Sequence, residues 1–276
     1  DCIKIFFKED IVPANSEKLI FQIAPIIVLV FTMVNLTVIP FDRNFILADL
    51  NLGVLLILAF ASLSVYGIIL AGWASNSRYS FLGGIRSASQ VLSYEIALGL
   101  SLAGVVLAAG SLNLKDIVIA QHNTPLGMYA IPQIIGFIVF VIAAFAETNR
   151  APFDLPEAET ELVAGYLTEY SAFRYALFFL AEYVAMYIMA FFCALCFLGG
   201  WTIPKFLTDI FPILDKVPGI LWFAVKVYAF IFLYIWVRAT LPRYRFDQLL
   251  NIGWKVLIPA GILNLLIVAI VKRFSL

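Results

Sequence analysis

The chain has 276 residues, of which 63% are hydrophobic and 13% charged, and its 18 basic and 18 acidic side chains give a net charge of zero. A soluble globular domain is closer to half apolar and a quarter charged, so this composition indicates a protein that is solvated by lipid. With no basic excess, a nucleic-acid partner is not expected.

Seven apolar runs are long enough, or nearly so, to cross a hydrocarbon core of about 30 Å, which requires about 20 helical residues. In lipid the backbone must satisfy its own hydrogen bonds, so each run is predicted to be an α-helix. The predicted spans are 19–39, 50–73, 90–109, 128–146, 175–200, 218–238 and 253–271. We therefore predict an all-α integral membrane protein with a single transmembrane helical domain, residues 1–276.

The connections on one side of the predicted helices carry more Lys and Arg than those on the other side. Together with the adjacent helix ends, segments 1–18, 74–89, 147–174 and 239–252 hold 11 basic residues, against six for the opposite side. The positive-inside rule places the richer side in the cytoplasm or matrix. We call this side the inner face.

The stretch between the second and third predicted spans reads GWASNSRYSFLGGIRSASQVLSYE at residues 72–95. Its small residues permit close helix packing. Gly83 and Gly84 allow a turn, after which Arg86 enters the next helix. We interpret this stretch as a re-entry loop on the inner face that offers one cation.

The segment between the fourth and fifth predicted spans is the most informative. Residues 146–171 read AETNRAPFDLPEAETELVAGYLTEYS and interleave six carboxylates with apolar side chains. Pro152 and Pro156 interrupt regular helix. A plain solvated loop would be richer in Gly, Ser and Asn, so we expect this acidic loop, residues 147–174, to line a cavity or contact a partner.

Ionisable side chains also interrupt the apolar runs at Glu95, Glu182 and Lys226, and Glu147 closes one run. One such charge near the bilayer centre costs about 2.5–3.5 kcal/mol on insertion scales, so these groups face the interior, pair or exchange protons. The alternatives are a buried ion pair or snorkelling to the interface, and for Glu147 a purely interfacial position. Carboxylates at different depths suit proton transfer, although a cation transporter would use the same pattern.

Cysteine and histidine give no sign of a redox centre. Cys193 and Cys196 form a C-x-x-C inside an apolar run, where small packing residues are expected rather than reactive thiolates. His122 is the one histidine, and a membrane haem normally requires histidine ligands within spanning helices. No metal site, catalytic residue or redox group is therefore expected in this chain itself.

Several long charged motifs resemble one known family. They are KIFFKEDIVP at 4–13, the segments 72–95 and 146–171, ALFFLAEY at 176–183, and RATLPRYRFDQLLNIGWKVLIP at 238–259. Together they resemble the quinone-site membrane subunit of respiratory complex I, which is known as subunit 1 in mitochondria and as the H subunit in bacteria. That family has a further N-terminal spanning helix, so about seven helices are expected here with the family's first helix missing, and the site residues below form an incomplete set.

The resemblance implies a non-redox subunit of a proton-pumping NADH:quinone oxidoreductase that forms part of a quinone tunnel. The tunnel residues it implies are Asp1, Glu9, Arg86, Arg150, Asp154, Glu157, Glu159, Glu161, Phe178 and Tyr183. It also implies a proton relay of buried glutamates, Glu95, Glu147 and Glu182, with Arg238 and Asp247 near the inner mouth. Lys226 is added to this predicted relay because a charge buried in an apolar run is costly.

The resemblance further implies that quinone is a substrate bound jointly with other subunits, whereas FMN and iron–sulfur clusters belong to partner subunits only. The partners implied are the peripheral quinone-site subunits, antiporter-like membrane subunits and membrane lipid. The membrane would be the mitochondrial inner membrane or a bacterial plasma membrane.

Two other functions fit part of the sequence. The first is the equivalent subunit of an energy-converting complex that uses ferredoxin, F420 or a hydrogenase module, because DLPEAE and RxDQLL are shared across that group. The second is a stand-alone cation/proton antiporter, which would explain the buried charges but not the crowded acidic loop. The sequence has no evident inverted repeat of the kind that such transporters often contain.

Overall fold

In the computed structural model of the chain, the described residues are 2–43, 45–124, 126–154, 164–204 and 217–275. They form the helices α1 Cys2–Phe7, α2 Lys18–Val38, α3 Gly53–Ala74, α4 Arg78–Ala109, α5 Leu114–Asn123, α6 Ile134–Glu147, α7 Ala172–Cys196, α8 Gly219–Thr240, α9 Phe246–Ile252 and α10 Ile258–Ser275. A 3-10 turn, Gly165–Leu167, precedes α7, and a π-helical segment, Gly253–Leu257, joins α9 to α10. The prediction of an all-α membrane protein is confirmed.

Six helical segments are long and apolar enough to cross a membrane: α2, α3, α4, α7, α8 and the run Phe246–Phe274, which contains α9 and all but the last residue of α10. The remaining predicted span, 128–146, is represented by α6, which has 14 residues. Before this helix, the backbone N–H groups of Tyr129 and Ala130 both donate to the carbonyl of Phe197 at 3.0 Å. The prediction of about seven spans thus corresponds to six long helices and one short apolar helix among the residues described.

The prediction of a re-entry loop at residues 72–95 is wrong for most of that stretch. Helix α4 begins at Arg78 and continues unbroken to Ala109, over 32 residues. A Cβ atom on Gly83 would lie 2.5 Å from the Cα of Gly165, and one on Gly84 would lie 3.4 Å from the Cα of Gly72. These glycines therefore permit close backbone approach rather than a turn.

Packing around α4 organises the bundle. Helix α4 packs against α3, α6 and α10, while α2 packs against α3 and α7, and α7 packs against α8. The main core contains large side chains with almost no exposure, including Tyr94, Phe140 and Phe192. A second, smaller core near the acidic loop contains Phe21 and Tyr170, whose rings stack with centroids 4.1 Å apart.

Candidate functional site

The centre of the candidate site is an ion pair between the acidic loop and a spanning helix. The Nε atom of Arg150 lies 2.6 Å from Oε1 of Glu182 in α7, with side chains 12% and 18% exposed. The Arg150 guanidinium also lies over the ring of Tyr183, 4.4 Å from its centroid. Buried charges require such pairing, so the loop supplies the cation that balances the helix carboxylate. Three of the predicted site residues are thereby brought together.

Helix α6 ends at Glu147, which lines an internal cavity of about 50 Å³ between α2, α3, α6 and α7. The cavity also has polar walls, formed by Thr32, Asn35, Ser64 and Asn149. Within the described residues, one buried oxygen on each of Asn35, Glu147 and Asn149 has no hydrogen-bond partner. An ordered water needs only about 10–15 Å³ and several polar neighbours, so this Glu147 cavity is suited to hold water beside the carboxylate.

Gln90 fixes the end of α6 from inside the bundle. Its side chain is fully buried in α4, and Nε2 donates to the carbonyls of Ala146 and Phe153 at 2.9 and 2.8 Å. The hydroxyl of Tyr234 in α8 donates to the carbonyl of Ala144 at 3.0 Å. Together these bonds position Glu147 and the first turn of the acidic loop. The sequence analysis missed both residues, although an amide in the apolar part of α4 was a visible signal for Gln90.

Glu95 lies seventeen residues after the first residue of α4, because this helix begins at Arg78 rather than at residue 90, where the predicted span begins. The Ser62 hydroxyl of α3 donates to its Oε2 at 3.1 Å, and its Oε1 is buried without a partner among the residues described. Glu95 is also close enough to Glu147 for the two side chains to interact electrostatically. One helical turn away, Leu58 and Gly99 line an apolar groove of about 380 Å³ between α3 and α4. Ser62 is a further contact that the sequence analysis missed.

The inner mouth is built from the start of the acidic loop and the segment before α9. Nη2 of Arg243 lies 3.0 Å from Oδ2 of Asp154, and the Tyr244 N–H donates to the carbonyl of Pro152 at 3.2 Å. Arg86 reaches the same region, with its guanidinium carbon 5.7 Å from the ring centroid of Phe246. The structure therefore brings the predicted residues Arg86 and Asp154 to one charged surface.

The other predicted residues have more varied positions. Glu9, Arg238 and Asp247 are exposed on the inner side of the bundle. Phe178 is 3% exposed and packs edge-on against Tyr170, with ring centroids 5.0 Å apart. The predicted residues Asp1, Glu157, Glu159 and Glu161 lie outside the described residues.

The segment next to Glu9 is tied to the start of α7. Oδ2 of Asp10 lies 3.3 Å from Nη2 of Arg174, and the Ile11 N–H donates to Oγ of Ser171 at 3.0 Å. The exposed Glu9 carboxylate therefore stands beside an anchored stretch of backbone on the inner face.

Lys226 lies apart from these carboxylates. Its Nζ donates to the carbonyls of Leu198, Gly200 and Thr202 at 2.6, 2.8 and 2.6 Å, which matches the three protons of an ammonium group. These carbonyls follow the end of α7, whereas Glu182 precedes the last residue of α7 by 14 residues. At 1.5 Å per residue, about 20 Å of helix separates the two groups, so the structure does not bring Lys226 to the other relay candidates.

The fold and these contacts define a polytopic α-helical membrane protein in which a charged inner face continues into buried carboxylates. The chain belongs to the family described as NADH dehydrogenase, which it matches over residues 1–269. This match confirms the family resemblance carried by the charged motifs.

Curated relatives agree with that assignment. The H subunit of NADH-quinone oxidoreductase from Rhodospirillum rubrum is 50% identical over 98% of this chain and 78% of its own length. The same subunit from Rickettsia typhi is 50% identical over 100% of this chain and 80% of its own length. The one from Paramagnetospirillum magneticum is 50% identical over 98% of this chain and 76% of its own length. The chain thus spans about four-fifths of these relatives.

Proposed function

We propose that this chain is the membrane subunit of a proton-pumping NADH:quinone oxidoreductase that forms part of the quinone tunnel and couples quinone reduction to proton translocation. The observation that carries the proposal is the Arg150–Glu182 contact, which links the charged inner face to a carboxylate within a spanning helix. Electrons reach quinone from partner subunits that hold FMN and iron–sulfur clusters. This chain binds the quinone jointly with them and supplies ionisable side chains.

The quinone headgroup is proposed to lie on the inner face near Arg86, Arg150 and Asp154. Reduction gives the headgroup negative charge, which these cations favour, and the product then takes up protons from neighbouring acids. Glu9 and Tyr183 complete the described part of this site, and Phe178 is proposed to flank the path of the isoprenoid tail. Asp1, Glu157, Glu159 and Glu161 are proposed to contribute from outside the described residues.

Arg150 provides the physical link from the headgroup to the relay. It already balances Glu182, so an anionic headgroup competes for the same guanidinium. When Arg150 turns toward the quinone, Glu182 loses its cation and its affinity for a proton rises. A ligand shifts an equilibrium only through such a difference in interaction between two states. The reduced quinone is thus proposed to favour proton uptake at Glu182.

The proton is proposed to continue through the Glu147 cavity to Glu95. Asn149, which lines this cavity, directly precedes Arg150 in the sequence, and Glu147 lies three residues before Arg150; this proximity supports a path from the ion pair to the cavity. Glu95 interacts electrostatically with Glu147 and lies one helical turn from the groove between α3 and α4. We propose that antiporter-like partner subunits receive the electrostatic change from Glu95.

Arg238 and Asp247 are proposed to act at the inner mouth, where both are exposed. Lys226 belongs to the relay proposal through the energetic cost of its burial. The alternative is a structural role, in which Lys226 holds the three backbone carbonyls to which it donates. The substitution Lys226→Met distinguishes this structural role from a role in the relay. The bacterial relatives favour a bacterial plasma membrane as the location, with the mitochondrial inner membrane as the alternative.

The relay is tested with Glu147→Gln and Glu182→Gln in the assembled enzyme, which remove the charge and keep the shape. We expect fewer protons translocated per electron in reconstituted vesicles. Glu17→Gln is the matched control, because Glu17 is an exposed carboxylate on the inner face outside the site. Undiminished proton translocation per electron in both site variants would reject the relay.

The quinone site is tested separately by crosslinking a photoreactive quinone analogue in the intact complex. We expect labels near Arg150, Asp154 and Tyr183 that disappear when excess unlabelled quinone is added. Labels confined to loops on the outer side would contradict the tunnel.

A further inference from the structure

A pocket of about 340 Å³ opens at the end of the bundle far from the acidic loop. It lies between the outer end of α4, the segment that follows α5 and the last turns of α10. Ala108 of α4 lines it, 18 residues beyond Gln90, which corresponds to about 27 Å along the helix. The pocket is therefore separate from the proposed quinone and proton sites.

The walls of this outer pocket are largely apolar. They include Leu126 and Met128 after α5, and Ile267, Val268 and Val271 of α10. Ile267 precedes Lys272 by five residues, so the walls extend about 7.5 Å toward the membrane centre from the level of Lys272. An apolar cavity at this depth suits the part of a lipid acyl chain that lies nearest the headgroup.

A cation is fixed at the rim. Nζ of Lys272 donates to the carbonyls of Leu107 and Ala108 at 2.5 and 3.4 Å, in the last turn of α4. The carbonyl end of a helix favours a nearby cation, so this position of the ammonium is stabilised electrostatically. Arg273 follows directly and is exposed. Lys272 thus places one positive charge at the rim of the pocket, and the exposed Arg273 adds a second charge next to it in the sequence.

The floor of the pocket has a polar group. Gln133, which is 3% exposed, lines the pocket and donates from Nε2 to the carbonyl of Gly104 at 3.3 Å. Its Oε1 is buried and has no hydrogen-bond partner within the described part of the chain. A site with apolar walls, few polar groups and a charged rim has the form expected for an amphipathic ligand.

We propose that the outer pocket binds one acyl chain of an anionic membrane phospholipid, whose phosphate is held by Lys272 and Arg273. We commit to a lipid rather than a partner helix because the apolar walls with the Lys272 ammonium at their edge match a single acyl chain beneath an anionic headgroup. The charges select the headgroup, because each cation near an anionic lipid contributes roughly a fivefold gain in affinity.

The test uses the purified assembled complex in nanodiscs of phosphatidylcholine that contain a trace of phosphatidylglycerol with a photoreactive diazirine in one acyl chain. Phosphatidylcholine with the same diazirine is the matched zwitterionic probe. We expect phosphatidylglycerol to label the segments 126–133 and 267–273 several times more strongly than phosphatidylcholine does. Equal labelling by the two probes would overturn the selection for an anionic headgroup.

Two kinds of substitution then test the contribution of the positive charges and that of the pocket's shape to lipid labelling. Arg273→Gln is expected to lower phosphatidylglycerol labelling about fivefold, and Lys272→Gln to lower it by at least as much. Arg273→Gln leaves the contact between Lys272 and α4 in place, so this variant remains informative if Lys272→Gln impairs folding. Lys115→Gln, on the same outer face but outside the pocket, is expected to leave labelling unchanged.

Val271 is exposed and lines the outer pocket, so Val271→Trp places a large ring in the pocket. Ile270 is also exposed but does not line the pocket, so Ile270→Trp is the matched control. We expect the first to abolish labelling within the pocket and the second to preserve it. Unchanged labelling in Val271→Trp, or crosslinking of residue 271 to a partner polypeptide instead of lipid, would overturn the proposal.

Discussion

Arg150 and Glu182 form a direct contact, with Nε and Oε1 2.6 Å apart, between two residues that are separated by the whole acidic loop. Both side chains are largely buried, so each contributes charge balance to the other. The contact also places the loop against α7, beside Tyr183. A single pair therefore joins the inner face to the spanning helices.

The first prediction concerns the energy of this pair. Arg150→Met and Glu182→Leu each remove one member of this buried ion pair, which is expected to destabilise the protein by about 3–5 kcal/mol. The double variant replaces the pair with apolar side chains and is expected to be less destabilised than the sum of the two single variants. Thermal unfolding of the purified complex for all four proteins measures this coupling. Additive losses would show that the two side chains do not stabilise each other.

The second prediction concerns Gln90. Gln90→Leu removes two hydrogen bonds and leaves the carbonyls of Ala146 and Phe153 without this donor, a loss of about 1–3 kcal/mol. Because the same bonds position Glu147, proton translocation per electron is expected to fall as well. Thermal unfolding and proton pumping in vesicles provide the two readouts. Gln22→Leu is the control, since Gln22 is an exposed amide on α2, and equal effects of both substitutions would contradict the positioning role.

The third prediction compares two glycines of α4. Gly83→Ala places a Cβ atom 2.5 Å from the Cα of Gly165, so the helix must move away from the turn before α7. We expect a marked loss of folded protein, measured as the yield of assembled complex. At Gly99, no described atom outside its local helix lies within 4 Å of the added Cβ, so Gly99→Ala is expected to preserve the yield. A similar loss for both variants would argue against the close backbone contact.

The fourth prediction separates the two roles considered for Lys226. Lys226→Met removes three charge-assisted hydrogen bonds to backbone carbonyls, and we expect a loss of stability of at least about 3 kcal/mol. If the role is structural, the enzyme that remains folded pumps the normal number of protons per electron. A reduced pumping ratio with unchanged thermal stability would instead place Lys226 in the relay.

The sequence predicted the helical architecture well because lipid imposes a simple rule. A backbone in hydrocarbon must satisfy its own hydrogen bonds, so a sufficiently long apolar run becomes a helix. The turn predicted at Gly83 and Gly84 was wrong, because glycine serves equally well in a turn and in a close helix contact. The Cα atom of Gly165, more than eighty residues away in the sequence, decides which applies.

The residue types of the candidate site could be read from the sequence, but their contacts could not. Burial cost identified Glu95, Glu182 and Lys226 without indicating which charges meet. The structure pairs Glu182 with Arg150 and gives Lys226 three backbone carbonyls instead. No periodicity in the chain specifies such pairs, since each depends on how two helices face one another.

The sequence by itself determined the membrane environment, the all-α fold, the charged inner face and the family, because these follow from local hydropathy, charge distribution and contiguous motifs. Only the tertiary structure decided that Gln90 holds the end of α6, that Ser62 contacts Glu95, and that Asn35 and Glu147 share one cavity. Those relations join residues from different helices, and interhelical packing fixes them at distances where a shift of one ångström makes or breaks a hydrogen bond.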